Sequence, residues 1–122
     1  MMKHFMLLGA IFGLLAVTLG AFGAHALKAR LPESLLATYE VGVRYQMYHA
    51  LALFVVAWLV STGQFRGIHI AGWLFTAGIL IFSGSLYALA LSGLRMLGAI
   101  TPIGGVCFLA GWLWIIWTIW RQ

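Results

Sequence analysis

From Phe5 to Trp120 the chain is written almost entirely as apolar runs of roughly bilayer-spanning length, and its charged residues stand singly at their ends. A helix needs roughly 20 mostly apolar residues to cross the hydrocarbon layer. Lipid offers no partner for open backbone N–H and C=O groups, so each run must satisfy its own backbone as a helix. A mean hydropathy of +1.06 with only 7% charged residues excludes an ordinary soluble domain. In 122 residues there is room for four such spans with short connections and none for a separate soluble domain. The expected fold is therefore all-α: a single transmembrane domain over residues 1–122, folded as a four-transmembrane-helix bundle.

The spans are expected at about 5–26, 43–62, 68–92 and 97–120. Lys3, the apolar stretch from Phe5 and the Ala24-His25-Ala26 triplet imitate a secretory signal, but the run is long enough to span and is read as a span. Lys28 and Arg30 close it, and Leu31-Pro32 breaks the helix, because proline disfavours helical geometry in the residue before it. From there to Arg44, leucine, tyrosine and valine recur on one side of a helix, which predicts a short amphipathic interfacial helix after the first span. Glu40 and Arg44, four apart, are expected to form an ion pair. The apolar portion Ala50 to Val60 is too short to cross alone, so Tyr45, Gln46, Tyr48 and His49 must lie within or just at the membrane. Pro102 falls in the first turns of the last helix, where a missing donor costs least.

Along the first span Gly9, Gly13, Ala16, Gly20, Gly23 and Ala24 recur at helical spacing, a smooth face suited to close helix approach. Gly9, Gly13, Gly20 and Gly23 are its expected packing residues. Threading four spans up and down sends all six tryptophans toward the side of the termini, as an interfacial belt, and all four tyrosines toward the other. His25, Tyr45, Gln46, His49, Ser83, Tyr87 and Thr101 then converge in the tyrosine half and form the candidate binding cluster.

Polar groups in hydrocarbon are costly and face a bundle interior or a wet cavity. His25 and His49 could respond to protons, bind a ligand, or join Met47 or Cys107 around a soft metal. The competing reading is that each fixes helix packing with one hydrogen bond, and Ser83 and Tyr87 are interhelical glue on the same view. No close ligand spacing such as H-x-x-x-H exists, so no metal is expected, and no cofactor is implied. Cys107 lies in an apolar run as the chain's single cysteine. Glu33 and Glu40 are the only acidic side chains, and no nucleophile motif such as G-x-S-x-G appears, so the chain is not read as an enzyme. The net charge of +5 is spread singly with no stacking platform, which excludes nucleic acid and points to lipid headgroups and topology. The expected partners are membrane lipids, with a homo-oligomer or another membrane protein beside them.

The blocks Gly20-Ala21-Phe22-Gly23-Ala24-His25-Ala26-Leu27, Tyr45-Gln46-Met47-Tyr48-His49-Ala50-Leu51, Phe82-Ser83-Gly84-Ser85-Leu86-Tyr87 and Thr101-Pro102-Ile103-Gly104-Gly105 closely resemble the YgdD/YwdK-like family, across essentially the whole chain. That family comprises small multi-pass membrane proteins of unknown function, with a small mitochondrial transmembrane relative in eukaryotes. The resemblance implies a bacterial inner-membrane protein of about four helices and brings no catalytic residues. Two functional readings follow: a membrane module binding a small molecule, lipid or proton in the polar cluster, or an assembly partner docking through the small-residue face. Both termini are expected to be cytoplasmic.

Overall fold

A computed structural model describes residues 1–122 as an all-helical bundle. Four helices are long and apolar enough to span a membrane: α1 (Met2–Leu27), α2 (Glu33–Thr62), α3 (His69–Ser92) and α4 (Thr101–Arg121), the last entered through a 3-10 turn at Arg95–Ala99. Gly63 and Gly93, in the left-handed region at φ 68° and 74°, end α2 and α3, as C-terminal glycines do because they lack a Cβ. Pro102 lies at the start of α4.

The segment following Pro32 is helical but forms no separate interfacial helix. It is continuous with the second span, and α2 runs unbroken for 30 residues. At 1.5 Å per residue this is roughly 45 Å, against a hydrocarbon layer of roughly 30 Å. The surplus at the start of α2 carries Glu33, Ser34 and Glu40, all exposed. Glu40 and Arg44 stand exposed on that stretch and form no ion pair. Water and headgroups solvate both ends there, so little is gained by fixing two long side chains together.

α2 is the hub. It packs against α1 on one side and α3 on the other, and α4 packs against α3. The main core joins Phe5 and Phe12 of α1 to Leu53, Val56 and Ala57 of α2, Phe75 and Ile79 of α3, and Phe108 and Ile115 of α4. A smaller core at the tyrosine end joins Leu27, Tyr39 and Ala90. Outside, burial is inverted relative to a soluble protein: Leu14, Leu109 and Ile116 are 68%, 65% and 64% exposed. Such a surface is stable only against lipid.

The helices come close because rings sit on glycines. Phe5 covers Gly72, Phe108 covers Gly78, Phe75 covers Gly111 and Tyr39 covers Gly23, leaving no room for a Cβ at any of the four. On the small-residue face of α1, a Cβ at Gly9 would lie 2.9 Å from the Ala50 carbonyl oxygen, and one at Gly20 would lie 3.3 Å from Val43. Gly13 is the exception, with no heavy atom within 4 Å of a Cβ added there. α2 thus occupies most of this face, at Gly9 and Gly20, and leaves it open at Gly13.

Two widened π turns interrupt the spans, Gly23–Leu27 in α1 and Ile79–Ser83 in α3. Each coincides with a close approach: Tyr39 on Gly23, and Ser83 against the Gly42 carbonyl. At the other end of the bundle, Trp114 Nε1 donates to the Gly67 carbonyl at 2.8 Å and Arg121 to the Arg66 carbonyl at 2.9 Å. The Arg121 guanidinium also lies 5.9 Å from the rings of Trp114 and Trp117. These contacts tie the end of α4 to the α2–α3 turn.

A pair of adjacent glycines tests this packing. A Cβ at Gly104 would collide with the Phe82 backbone, whereas one at Gly105 would meet the Phe82 ring at an ordinary 3.9 Å. Gly104→Ala should destabilise the bundle by about 1–3 kcal/mol through overpacking. Gly105→Ala should leave the melting temperature in detergent micelles near that of the parent, and equal losses for the two variants would refute the α3–α4 packing described.

Candidate functional site

The polar residues expected to converge are brought together in part, and they divide into separate groups. The first lies among α1, α2 and α3. Gln46, buried on α2, donates from Nε2 to the Phe12 carbonyl at 2.8 Å and accepts at Oε1 from the Tyr87 hydroxyl at 2.6 Å. One turn up, Ser83 Oγ donates to the Gly42 carbonyl at 2.7 Å. Above that, Tyr39 donates to the Leu19 carbonyl at 2.6 Å, with its ring centroid 5.2 Å from that of Tyr87. Each bond crosses from one helix to another, and the group is closed: a donor meets an acceptor at every step.

Ser85 turns away from this group, as its position two residues after Ser83 requires, and shares a hydrogen bond with Thr101 at the start of α4. Neither Ser83 nor Tyr87 reaches a histidine. His25 belongs to none of these groups: it is exposed on the π turn ending α1 and makes no side-chain hydrogen bond. Its place in the cluster is therefore corrected. The small-residue face of α1 is turned to α2, and His25 projects from the opposite side.

His49 anchors the second group, with aromatic side chains from α3 and α4. Its ring lies flat on Phe108, with centroids 3.6 Å apart and planes at 6°, and packs against Phe75 at 5.2 Å. Trp112 Nε1 reaches His49 Nε2 at 3.0 Å, and His49 Nδ1 lies 2.8 Å from the Tyr45 carbonyl. Because an indole N–H only donates, Nε2 must accept. The proton is then on Nδ1, donated to the Tyr45 carbonyl, and the ring is neutral. Both nitrogens are committed, so His49 is a wall and not a free base or metal ligand. Trp112 accordingly stands midway along α4, outside the interfacial belt in which sequence reasoning placed it, exposed on one side and bonded to His49 on the other.

Beside His49 a cleft of about 420 Å³ opens laterally between α2 and α4, lined by Tyr45, His49, Phe82, Pro102, Gly105, Val106, Phe108, Leu109 and Trp112. It exists because α4 packs closely on α3, leaving α2 and α4 to meet through their rings. A smaller crevice of about 190 Å³ lies between α1 and α3, floored by Gln46 and Tyr87. Of the residues expected to bind, only Tyr45 and His49 line the larger cleft. Phe82, Gly105, Phe108 and Trp112 were not anticipated there. The available signal was a matched pair of aromatic positions four apart, Tyr45/His49 on one helix and Phe108/Trp112 on another, each forming one stripe. No group of three or more His, Cys, Asp or Glu side chains is placed to hold a metal.

Four long apolar helices, a lipid-facing surface of leucine and isoleucine, and buried polar groups that are paired apart from the Thr118 hydroxyl define a multi-pass helical membrane protein. A family model described as a protein of unknown function, DUF423, matches residues 19–105, and the chain belongs to that family. It is 53% identical over 116 residues to the UPF0382 membrane protein YwdK of Bacillus subtilis, covering 94% of each chain. UPF0382 membrane proteins of Staphylococcus epidermidis and Staphylococcus haemolyticus are 50% and 48% identical over 115 residues, covering 94% of this chain and 93% of theirs. No solved structure matches it.

The Gln46–Tyr87 bond can be isolated by a double-mutant cycle. Gln46→Leu alone strands a buried tyrosine hydroxyl and should cost about 1–3 kcal/mol, while Tyr87→Phe added to it should recover part of the loss. Additive losses in thermal unfolding would show that the bond contributes nothing. His25→Ala should leave the melting temperature unchanged.

Proposed function

We propose that this chain is a non-enzymatic membrane module that takes a small lipid-soluble molecule, directly from the bilayer, into the cleft between α2 and α4. The observation that carries the reading is the cleft itself, whose volume of about 420 Å³ falls in the range of roughly 300–1,000 Å³ typical of small-molecule sites. Its opening faces lipid, so a guest dissolved in the bilayer enters without crossing water. The closed Gln46–Tyr87 and Ser83–Gly42 bonds serve as rigid scaffolding beside it. A non-enzymatic role is supported by His49, whose two nitrogens are both engaged and which has no nucleophile beside it.

The same reading places the protein in the bacterial plasma membrane with both termini cytoplasmic. The relatives in Bacillus and Staphylococcus support the bacterial setting. The orientation of the termini is part of the same proposal, in which Lys3, Arg66 and Arg121 are the cytoplasmic positive charges.

Gly105→Leu provides the test. Its Cβ has room against Phe82 and Gly105 lines the cleft, so a leucine there should take up cleft volume. Native mass spectrometry of the protein released from its own membrane should show a retained lipid-soluble molecule in the parent and its loss in Gly105→Leu, at equal melting temperature. An identical set of retained molecules in both would overturn the reading.

A further inference from the structure

The cleft is walled by rings. Tyr45, His49, Phe82, Phe108 and Trp112 line it together, and the aliphatic lining residues all belong to α4. These rings already meet in the edge-to-face and tilted geometries that aromatic quadrupoles favour: Tyr45 lies 5.0 Å from Phe82 at 71°, and Phe82 lies 5.3 Å from Phe108 at 54°. A flat guest gains the same kind of contact from such a wall, whereas a flexible acyl chain gains only burial and loses rotamer freedom.

The polar groups of the lining narrow the choice further. Trp112 N–H and both His49 nitrogens are used within the chain. The Tyr45 hydroxyl is not: its ring forms part of the cleft wall, the residue is 38% exposed, and only its backbone carbonyl takes part in a hydrogen bond with a side chain. A phenol in that position can donate to a carbonyl oxygen. No charged side chain lines the cleft, so an ionised guest would have to leave its charge outside.

Resting on the lateral-cleft reading above, we infer that the ligand is an uncharged planar ring bearing a carbonyl oxygen, of the quinoid or aromatic-ketone class, on an apolar tail. Its ring lies among Phe82, Phe108 and Trp112, its carbonyl accepts from the Tyr45 hydroxyl, and its tail leaves through the lateral opening past Val106 and Leu109.

The test uses the full chain in phosphatidylcholine nanodiscs, titrated with a decyl-substituted benzoquinone and read by quenching of tryptophan fluorescence, with palmitic acid as the aliphatic competitor. The expected result is a saturable component of quenching that Gly105→Leu abolishes and palmitic acid does not displace. Tyr45→Phe should raise its Kd by about tenfold, the scale of one lost hydrogen bond. Displacement by palmitic acid would overturn the planar-ring inference while leaving the cleft reading standing, since an acyl chain would then be the occupant. Unchanged affinity in Tyr45→Phe, with its melting temperature preserved, would overturn the assigned carbonyl contact. If the benzoquinone shows no saturable component that Gly105→Leu removes, the planar-ring inference falls, and the cleft reading falls with it only where Gly105→Leu also leaves the set of molecules retained from the membrane unchanged.

Discussion

Helices in lipid are not driven together by water, because the surrounding tails are as apolar as the side chains that would leave them; what holds them is the closeness of contact. In this bundle closeness is created by setting a ring on one helix against a glycine on the next. Phe5 on Gly72, Phe75 on Gly111, Phe108 on Gly78 and Tyr39 on Gly23 are four instances distributed over every helix. Each gives a large flat side chain full contact with backbone, where dispersion is gained over many atoms at once. The same device fixes helix order, since α4 can seat its glycines only on α3, and α1 seats its own mainly on α2.

That order decides where open space remains. With α4 drawn onto α3 through Gly104 and Gly111, α2 and α4 are held too far apart to interdigitate and are bridged by His49, Phe108 and Trp112. The resulting cleft is a consequence of tight packing elsewhere. Polar groups are arranged consistently with this division. Gln46, Ser83, Tyr39 and Tyr87 are spent on bonds between helices, where an unsatisfied group would be costly, and Tyr45, which lines the cleft, keeps its hydroxyl free of any partner within the chain.

Much of the fold was legible in the residues because the bilayer leaves few alternatives. Four long, mostly apolar runs had to be four helices, and the small-residue face of α1 had to meet a neighbour, which proved to be α2. The amphipathic start of α2 was legible as a helix but not as part of the same one, since nothing between Arg44 and Tyr45 marks continuity or a break. The site was legible only in pieces. Polar residues announce themselves in an apolar chain, so Gln46, His49, Ser83 and Tyr87 were singled out correctly as buried or half-buried groups. Their partners were not legible, since Phe12 and Gly42 contribute only a carbonyl oxygen, which every residue has. His25 was misplaced because a residue at a helix end can face either way with almost no change in sequence pattern.

The sequence by itself determined that this chain is an all-helical membrane protein with four runs long and apolar enough to span, and which family it resembles, because length and hydropathy depend on each segment alone. The tertiary structure alone decided that His49 is neutral and locked to Trp112, that His25 stands outside, and that the cleft lies between α2 and α4. Those facts depend on the rotation and separation of whole helices. Such quantities are set by which glycine receives which ring, and contacts of that kind join residues distant in the chain.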